Sequence, residues 1–122
     1  MTRILVIDDS DVIRRLLGEY LSELGYQVDF AVDGQDGIDK ALAEDYQLVF
    51  SDIHMPKKNG YEVYTAVSAE KPDLPFIMTD SLPDQLAEMA KNSGANCCLR
   101  KPFDLAEVRE KVEDLLSSIE TP

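Results

Sequence analysis

The sequence predicts an α/β protein built on a doubly wound parallel sheet. Along its 122 residues, five short apolar runs alternate with helical patterns, and this length suits one compact domain. The runs are rich in β-branched and aromatic residues, as strands are, and they cover residues 4–7, 28–31, 48–50, 76–78 and 97–99. Strands that alternate with helices form a parallel sheet with helices on both faces. We therefore expect a single domain over residues 1–122, with the strand order 2-1-3-4-5.

The composition of each strand indicates its place in the sheet. The first, third and fourth runs are apolar nearly throughout, as strands covered on both faces should be. The second run carries Asp29, and a charged residue suits an edge strand. We therefore place the second strand at one edge of the sheet.

The helices are predicted from apolar periodicity and from residues that start or stop a helix. In the first helix one apolar stripe is formed by Val12, Ile13, Leu16, Leu17, Tyr20, Leu21 and Leu24. Gly25 follows where a left-handed residue ends a helix, and Asp104 with Glu107 resembles a capping box for the last helix. Pro83 fits the first turn of the fourth helix. The second and third helices are predicted around Ile38, Ala41, Leu42 and around Tyr61, Tyr64, Val67.

Charge and cysteine content exclude several classes of protein. With 24 acidic and 12 basic residues the formal charge is −12, which disfavours direct binding to nucleic acid. Cys97 and Cys98 are adjacent, so their side chains point to opposite faces of a strand and a disulfide between them is not expected. Two lone thiols suit a reducing compartment, and no apolar run has membrane-spanning length. We expect a cytoplasmic protein with no membrane insertion.

Polar residues follow four of the five predicted strands. Asp8 and Asp9 follow the first strand, Asp52 the third, Thr79 the fourth and Lys101 the fifth. In open α/β sheets, ligands bind outside the carboxyl ends of the strands, where the strand order reverses. We therefore expect these five residues to meet at one edge of the sheet.

Carboxylates gathered in this way predict a divalent cation. Two unit charges about 4 Å apart repel by roughly 4 kcal/mol at an effective dielectric of 20. Hard oxygen ligands select Mg²⁺ or Mn²⁺, which keeps coordination positions for water and phosphate oxygens. A carboxylate can also attack phosphorus and form an aspartyl phosphate. Lys101 would then suit a phosphate oxygen, and the Thr79 hydroxyl could donate a hydrogen bond.

Each of these residues also has a structural explanation when it is taken alone. Residues 8–11 could form only a helix N-terminus, where acids offset the helix dipole. Asp52 could be a turn residue, Thr79 a helix cap and Lys101 a solvated base. Four polar positions after four strands at one edge favour a functional site over four separate coincidences.

At these motifs the chain resembles the receiver domains of two-component response regulators, and it looks most like the single-domain chemotaxis type. The similarity runs from about Arg3 to Ile119. It rests on Ile4-Leu5-Val6-Ile7-Asp8-Asp9-Ser10, on Asp52-Ile53-His54-Met55-Pro56 with Gly60, on Thr79, and on Gly94-Ala95 leading to Lys101-Pro102-Phe103.

The resemblance implies a role for each matching residue. Asp52 would accept the phosphoryl group, and Asp9 and Asp52 would bind Mg²⁺ with the backbone carbonyl of His54. Asp8 would support the metal through water, and Thr79 and Lys101 would hold phosphate oxygens, with Lys101-Pro102 as a cis peptide.

The resemblance also implies partners and an output. The donor would be a histidine kinase or a phosphotransfer protein, and the phosphate would be hydrolysed slowly. The chain would be a signalling domain rather than an enzyme with a separate substrate. Its output face would combine helix 4, strand 5 and helix 5.

Two positions depart from the family pattern. Asp80 stands where a small residue is usual, and Cys98 stands where an aromatic residue is usual. Asp80 could add charge near the phosphate entry or point to solvent, whereas Cys98 is expected to be a buried small residue. We therefore expect phosphorylation to act mainly on residues 79–83 and the start of helix 4, with little rearrangement at Cys98.

Three other functions fit parts of this pattern. A flavin phosphate would be repelled by Asp8 and Asp9, which excludes a flavodoxin-like carrier. A haloacid-dehalogenase-type phosphatase needs two acids separated by one residue after the first strand, and here they are adjacent. The remaining alternative is a pseudo-receiver that uses the same fold as a constitutive interaction module.

Overall fold

The computed structural model describes residues 1–80 and 85–120 of the chain. The strands of its sheet are β1 Arg3–Ile7, β2 Gln27–Ala31, β3 Leu48–Asp52, β4 Phe76–Asp80 and β5 Cys97–Arg100. The helices are α1 Asp11–Glu23, α2 Gly34–Ala43, α3 Gly60–Glu70, α4 Gln85–Lys91 and α5 Leu105–Glu120. In this described part of the chain, no helix combines the length and apolar content needed to cross a membrane.

The sheet is parallel, and its order is β2-β1-β3-β4-β5, which confirms the predicted order and places the strand with Asp29 at an edge. The order reverses between β1 and β3, so the carboxyl ends of these neighbouring strands flank a crevice. Register aligns Asp52 of β3 with Thr79 of β4 at the end of their ladder. The backbone therefore brings the predicted site residues of both strands to the same edge.

Two apolar clusters cover the two faces of the sheet. One contains Leu5 and Val49 with side chains of α2 and α3, and the other contains Ile4 and Phe50 with side chains of α1 and α5. Strands β3 and β4 are buried over their whole length, as the apolar runs predicted. Cys98 packs against the first cluster and Cys97 against the second, and neither cysteine forms a disulfide.

Several helix ends confirm the expected sequence signals. The Ser10 hydroxyl accepts a hydrogen bond from the Ile13 amide at the start of α1, and Gly25 has φ +99° just past its end. The Asp104 carboxylate accepts from the Ala106 amide at the start of α5. Pro83 lies outside the described residues.

Helix α3 begins with a capping box that the sequence analysis missed. Asn59 accepts from the Glu62 amide at 2.9 Å, while the Glu62 carboxylate accepts from the Asn59 amide at 3.0 Å. In the sequence, residues 57–60 favour a solvated turn, because Asn-Gly is a turn signal. Lys57 and Lys58 are exposed as expected, but Asn59 caps the helix and Gly60 is its first residue.

The apolar stripe that the sequence predicts on one face of α1 is only partly buried. Leu17 and Leu21 are buried, whereas Val12 is 72% exposed and Leu16 is 38% exposed. Because residues i and i+1 are about 100° apart around a helix, one row of such a pair faces the sheet and the other lies at the rim. The rim row leaves an apolar strip next to the carboxyl end of β1.

Candidate functional site

Three carboxylates meet at the carboxyl edge of the sheet, as the sequence predicted. Asp8 and Asp9 directly follow β1, and Asp52 is the last residue of β3. One oxygen from each of these three acids lies within 4.8 Å of the others. Asp8 and Asp52 are buried, and Asp9 is exposed, so the cluster opens to solvent on the Asp9 side.

Lys101 places its ammonium group between the two buried acids. Its Nζ donates to Asp8 Oδ2 at 2.8 Å and lies 3.3 Å from Asp52 Oδ1. Burial alone would lower the pKa of Lys101, but the hydrogen bond to Asp8 and the charge of Asp52 outweigh burial and raise it. The lysine therefore remains a cation at the centre of the site. The peptide bond between Lys101 and Pro102 is cis, as the resemblance implied.

The Asp52 carboxyl group has an unusually high pKa. Burial raises it first, and the negative charge of Asp8 adds to this effect, while Lys101 opposes both. The pKa rises from 3.8 to about 6 as a result. The ionised form of Asp52 is therefore unfavourable in this pocket, and a cation bound beside it would stabilise that form.

Thr79 and His54 lie at the same edge of the sheet. Thr79 is buried at the end of β4 and pairs in register with Asp52, and its carbonyl accepts from the Ile53 amide at 2.9 Å. His54 is half-buried and follows β3 by two residues. The structure thus brings the three acids and Lys101 together, and it places Thr79 and His54 at the same edge of the sheet.

The connection from β3 to α3 is packed against the strand that carries Asp52. The Gly60 amide donates to the Ile53 carbonyl at 2.8 Å, and a Cβ at Gly60 would lie 2.6 Å from the Asp52 carbonyl oxygen. Only glycine permits so close an approach of backbone to backbone. Within the same connection Lys57 has φ +70°, a strained value for a residue with a side chain, and its ammonium lies 3.5 Å from Asp33.

Asp80 points inward, which decides between the two orientations that we considered. It is 1% exposed, and its Oδ2 accepts a hydrogen bond from the Cys98 thiol at 3.4 Å. Its Oδ1 lies 3.9 Å from Nε of the exposed Arg100. Cys98, where the family usually has an aromatic residue, is small enough to meet the Asp80 carboxylate with its thiol. The sequence signals this contact through two residues. Asp80 directly follows Thr79, and the small Cys98 lies three positions before Lys101.

The donor set suits a hard divalent cation. The three converging acids offer oxygen atoms, and neither cysteine nor the histidine ring belongs to this cluster in the described part of the chain. Oxygen ligands of this kind favour Mg²⁺ or Mn²⁺ over softer metals. The exposure of Asp9 leaves one side of the cluster accessible to water and to phosphate oxygens.

Comparisons with known proteins agree with this site. The family model of the response regulator receiver domain matches residues 4–113. Response regulator ArlR of Staphylococcus aureus is 33% identical over 117 residues, which cover 95% of this chain and 53% of ArlR. The chain therefore spans about half the length of the curated relatives that it matches.

Solved structures show the same architecture. Response regulator TrrA of Thermotoga maritima, solved in complex with Mg²⁺ and BeF, is 36% identical with a TM-score of 0.87, over 94% of this chain and 99% of that one. A CheY-like receiver domain protein of Methanospirillum hungatei is 26% identical with a TM-score of 0.93, over 98% of this chain and 97% of that one. With a family match over most of the chain and an acidic pocket of this type, the chain belongs to the response regulator receiver domain family.

Proposed function

We propose that this chain takes a phosphoryl group from a phosphohistidine donor onto Asp52 in a Mg²⁺-dependent reaction. The phosphorylated form then changes partner binding within a phosphorelay. The observation that carries the proposal is the convergence of Asp8, Asp9 and Asp52 with Lys101 seated between the two buried acids. The proposal treats residues 1–122 as one receiver domain.

The transfer needs one nucleophile and several positive or hydrogen-bonding groups. A carboxylate oxygen of Asp52 forms a bond to phosphorus as the phosphorus–nitrogen bond breaks, and the donor imidazole leaves with the electron pair. Lys101 is placed to turn from the acids to a phosphoryl oxygen, and the Thr79 hydroxyl would donate to another. The domain would thus catalyse its own phosphorylation, and later a slow hydrolysis of the aspartyl phosphate, without a separate substrate.

The metal belongs to the same pocket. Asp9 and Asp52 would bind it directly with the backbone carbonyl of His54, and Asp8 would act through a bound water. Mg²⁺ is proposed, and Mn²⁺ would substitute for it, because every proposed ligand is an oxygen atom. When bound, the ion neutralises the charge of the transferring phosphoryl group.

Partners would approach two different surfaces of this domain. The apolar strip formed by Val12 and Leu16 lies beside the acidic pocket, where a histidine kinase or phosphotransfer protein must come close to Asp52. The output partner would bind α4, β5 and α5. A formal charge of −12 disfavours direct contact with nucleic acid, and we place the protein in the cytoplasm.

Acetyl phosphate with Mg²⁺ tests the proposal directly. The wild-type chain is expected to gain one phosphoryl mass in intact mass spectrometry and to lose that gain when EDTA removes the metal. Asp52→Asn should show no gain. Asp45→Asn is the matched control, because Asp45 is 99% exposed, and it should be phosphorylated like the wild type.

Two outcomes would contradict the proposal in different ways. A full phosphoryl gain in Asp52→Asn would move the acceptor to another residue. A wild-type chain that folds but gains no phosphoryl mass would favour the pseudo-receiver alternative, in which Asp80 and Cys98 mark a domain that no longer switches.

Beryllofluoride, a phosphoryl mimic, tests how the switch operates. With Mg²⁺ it is expected to shift the amide resonances of Thr79 and Asp80 strongly and that of Cys98 weakly. The reason is that a new negative charge repels the buried Asp80 carboxylate, whereas the Cys98 side chain is too small to fill a space that a movement of Thr79 would leave. NMR shift mapping decides the point, and residues 81–83 can be followed in the same spectra. Large shifts at Cys98 with small ones at Asp80 would contradict this prediction.

A further inference from the structure

We infer that Arg14 is a positioning residue for the metal site, acting through the peptide bond that joins Asp8 to Asp9. The inference rests on the proposed function, because it concerns the same acidic pocket. Arg14 Nη1 donates to the Asp8 carbonyl oxygen at 2.7 Å. That oxygen belongs to the planar unit leading into Asp9, so its direction sets the orientation of the Asp9 backbone.

The Arg14 side chain is held in place for this contact. It is only 18% exposed, and its Nη2 lies 3.5 Å from Asp11 Oδ1. The next residue along the helix, Arg15, also pairs with Asp11, at 3.1 Å, but its side chain is 70% exposed and it makes no hydrogen bond to the Asp8 carbonyl. Two adjacent arginines therefore share one acidic partner, and only Arg14 reaches the backbone of the acidic pair.

The position of the Asp9 carboxylate depends on the backbone more than that of the Asp8 carboxylate does. The Asp8 amide donates to the Ala31 carbonyl at 3.2 Å, and the Asp8 carboxylate accepts from the Ser10 amide at 2.9 Å and from Lys101 at 2.8 Å. Within the described residues, no side chain or amide donates to the exposed Asp9 carboxylate. Among the residues that the structure describes, Arg14 therefore supports the backbone of a proposed ligand whose own carboxylate accepts no hydrogen bond.

Charge and positioning predict opposite effects when the guanidinium is removed. Loss of a cation near an acidic pocket should strengthen the binding of a divalent metal through Coulomb attraction. Loss of a group that orients a ligand should weaken metal binding by about 10- to 100-fold. The sign of the change therefore separates a positioning role from a purely electrostatic one.

The direction of the change in affinity can be measured by titration with Mn²⁺, in which the EPR signal reports the free ion and no phosphorylation is needed. Relative to the wild type, Arg14→Ala is expected to bind Mn²⁺ at least about 10-fold more weakly. Arg15→Ala removes the same charge and an Asp11 pair, and it should bind as tightly or slightly more tightly. Arg14→Lys keeps a donor of different reach and should recover part of the affinity, and Asp9→Ala gives the scale for loss of a ligand.

Each result has a defined meaning. Mn²⁺ affinity in Arg14→Ala equal to or tighter than in the wild type would overturn the inference, and so would equal weakening in both alanine variants. If Arg14→Ala does not fold, Arg14→Met decides, because methionine keeps an apolar stem without a donor and wild-type affinity in that variant would show that the carbonyl contact is dispensable. A wild-type chain that binds no Mn²⁺ would instead remove the metal from the proposed function, and the inference with it.

Discussion

Replacing Lys101 with methionine is expected to lower the free energy of unfolding of the metal-free protein by about 3 to 5 kcal/mol, because it leaves two buried carboxylates without their cation. The side chains of Asp8 and Asp52 are 2% and 6% exposed, and Lys101 contacts both at 2.8 and 3.3 Å. Methionine keeps the length and the apolar stem of the lysine but carries no charge. At about 4 °C per kcal/mol for a domain of this size, the melting temperature should fall by roughly 12 to 20 °C.

Thermal and urea unfolding in EDTA measure this loss, and Lys57→Met is the matched control. Lys57 is 69% exposed and lies 3.5 Å from Asp33, so removal of its charge should cost less than about 1 kcal/mol. Mg²⁺ should restore more stability to Lys101→Met than to the wild type, because a divalent ion replaces the missing charge. A loss no larger than that of the control would show that Lys101 does not compensate the buried acids.

Asp52→Asn is expected to have the opposite effect and to stabilise the metal-free protein at neutral pH. The folded protein holds Asp52 with a pKa of about 6, against an ordinary value of 3.8. Ionised Asp52 therefore costs stability, and roughly two pKa units correspond to about 3 kcal/mol at pH 7.5. An amide has the same shape as the carboxyl group and no charge, so the variant avoids this cost.

The pH dependence follows from the direction of the pKa shift. Because folding raises the pKa of Asp52, its favourable contribution is complete below pH 3.8 and is lost as the pH rises through about 6. The advantage of Asp52→Asn should therefore be about 3 kcal/mol at pH 7.5 and about half of that near pH 5, midway between the two pKa values. Urea unfolding in EDTA at both pH values checks this. An advantage that is constant with pH, or a variant that is less stable than the wild type, would contradict it.

The sheet and the location of the site were predictable because both depend on backbone periodicity. Alternation of strands and helices fixes parallel pairing, and parallel pairing brings Asp8, Asp52 and Thr79 to one edge whatever their side-chain torsions are. The edge position of β2 followed from Asp29 by the same argument, since a central strand has no room for an unpaired charge.

Features that depend on neighbouring side chains were not predictable in the same way. The apolar stripe correctly indicated which side of α1 packs against the sheet. How much of the stripe is buried depends on where the neighbouring elements end, and Val12 lies beyond them and is exposed. The inward orientation of Asp80 involves contacts with side chains of the adjacent strand, a hydrogen bond from the Cys98 thiol and the nearby Arg100. The role of Asn59 was ambiguous because the Asn-Gly pair is compatible with a turn and with a helix start.

Asp52 lies between a tightly packed side, at Gly60, and a loosely held side, at Asp80. On the α3 side, not even a methyl group fits between the helix start and the Asp52 carbonyl, and the Gly60 amide is bonded to Ile53 at 2.8 Å. On the other side, Asp80 reaches β5 through side-chain contacts of 3.4 and 3.9 Å, which lengthen or break at little cost. A structural change at Asp52 is therefore blocked toward the start of α3, whereas movement toward Asp80 on β4 meets little resistance. Displacement should therefore be taken up at Asp80 on β4, and these long contacts should pass little of it on to Cys98 on β5, so the geometry gives the switch a preferred direction.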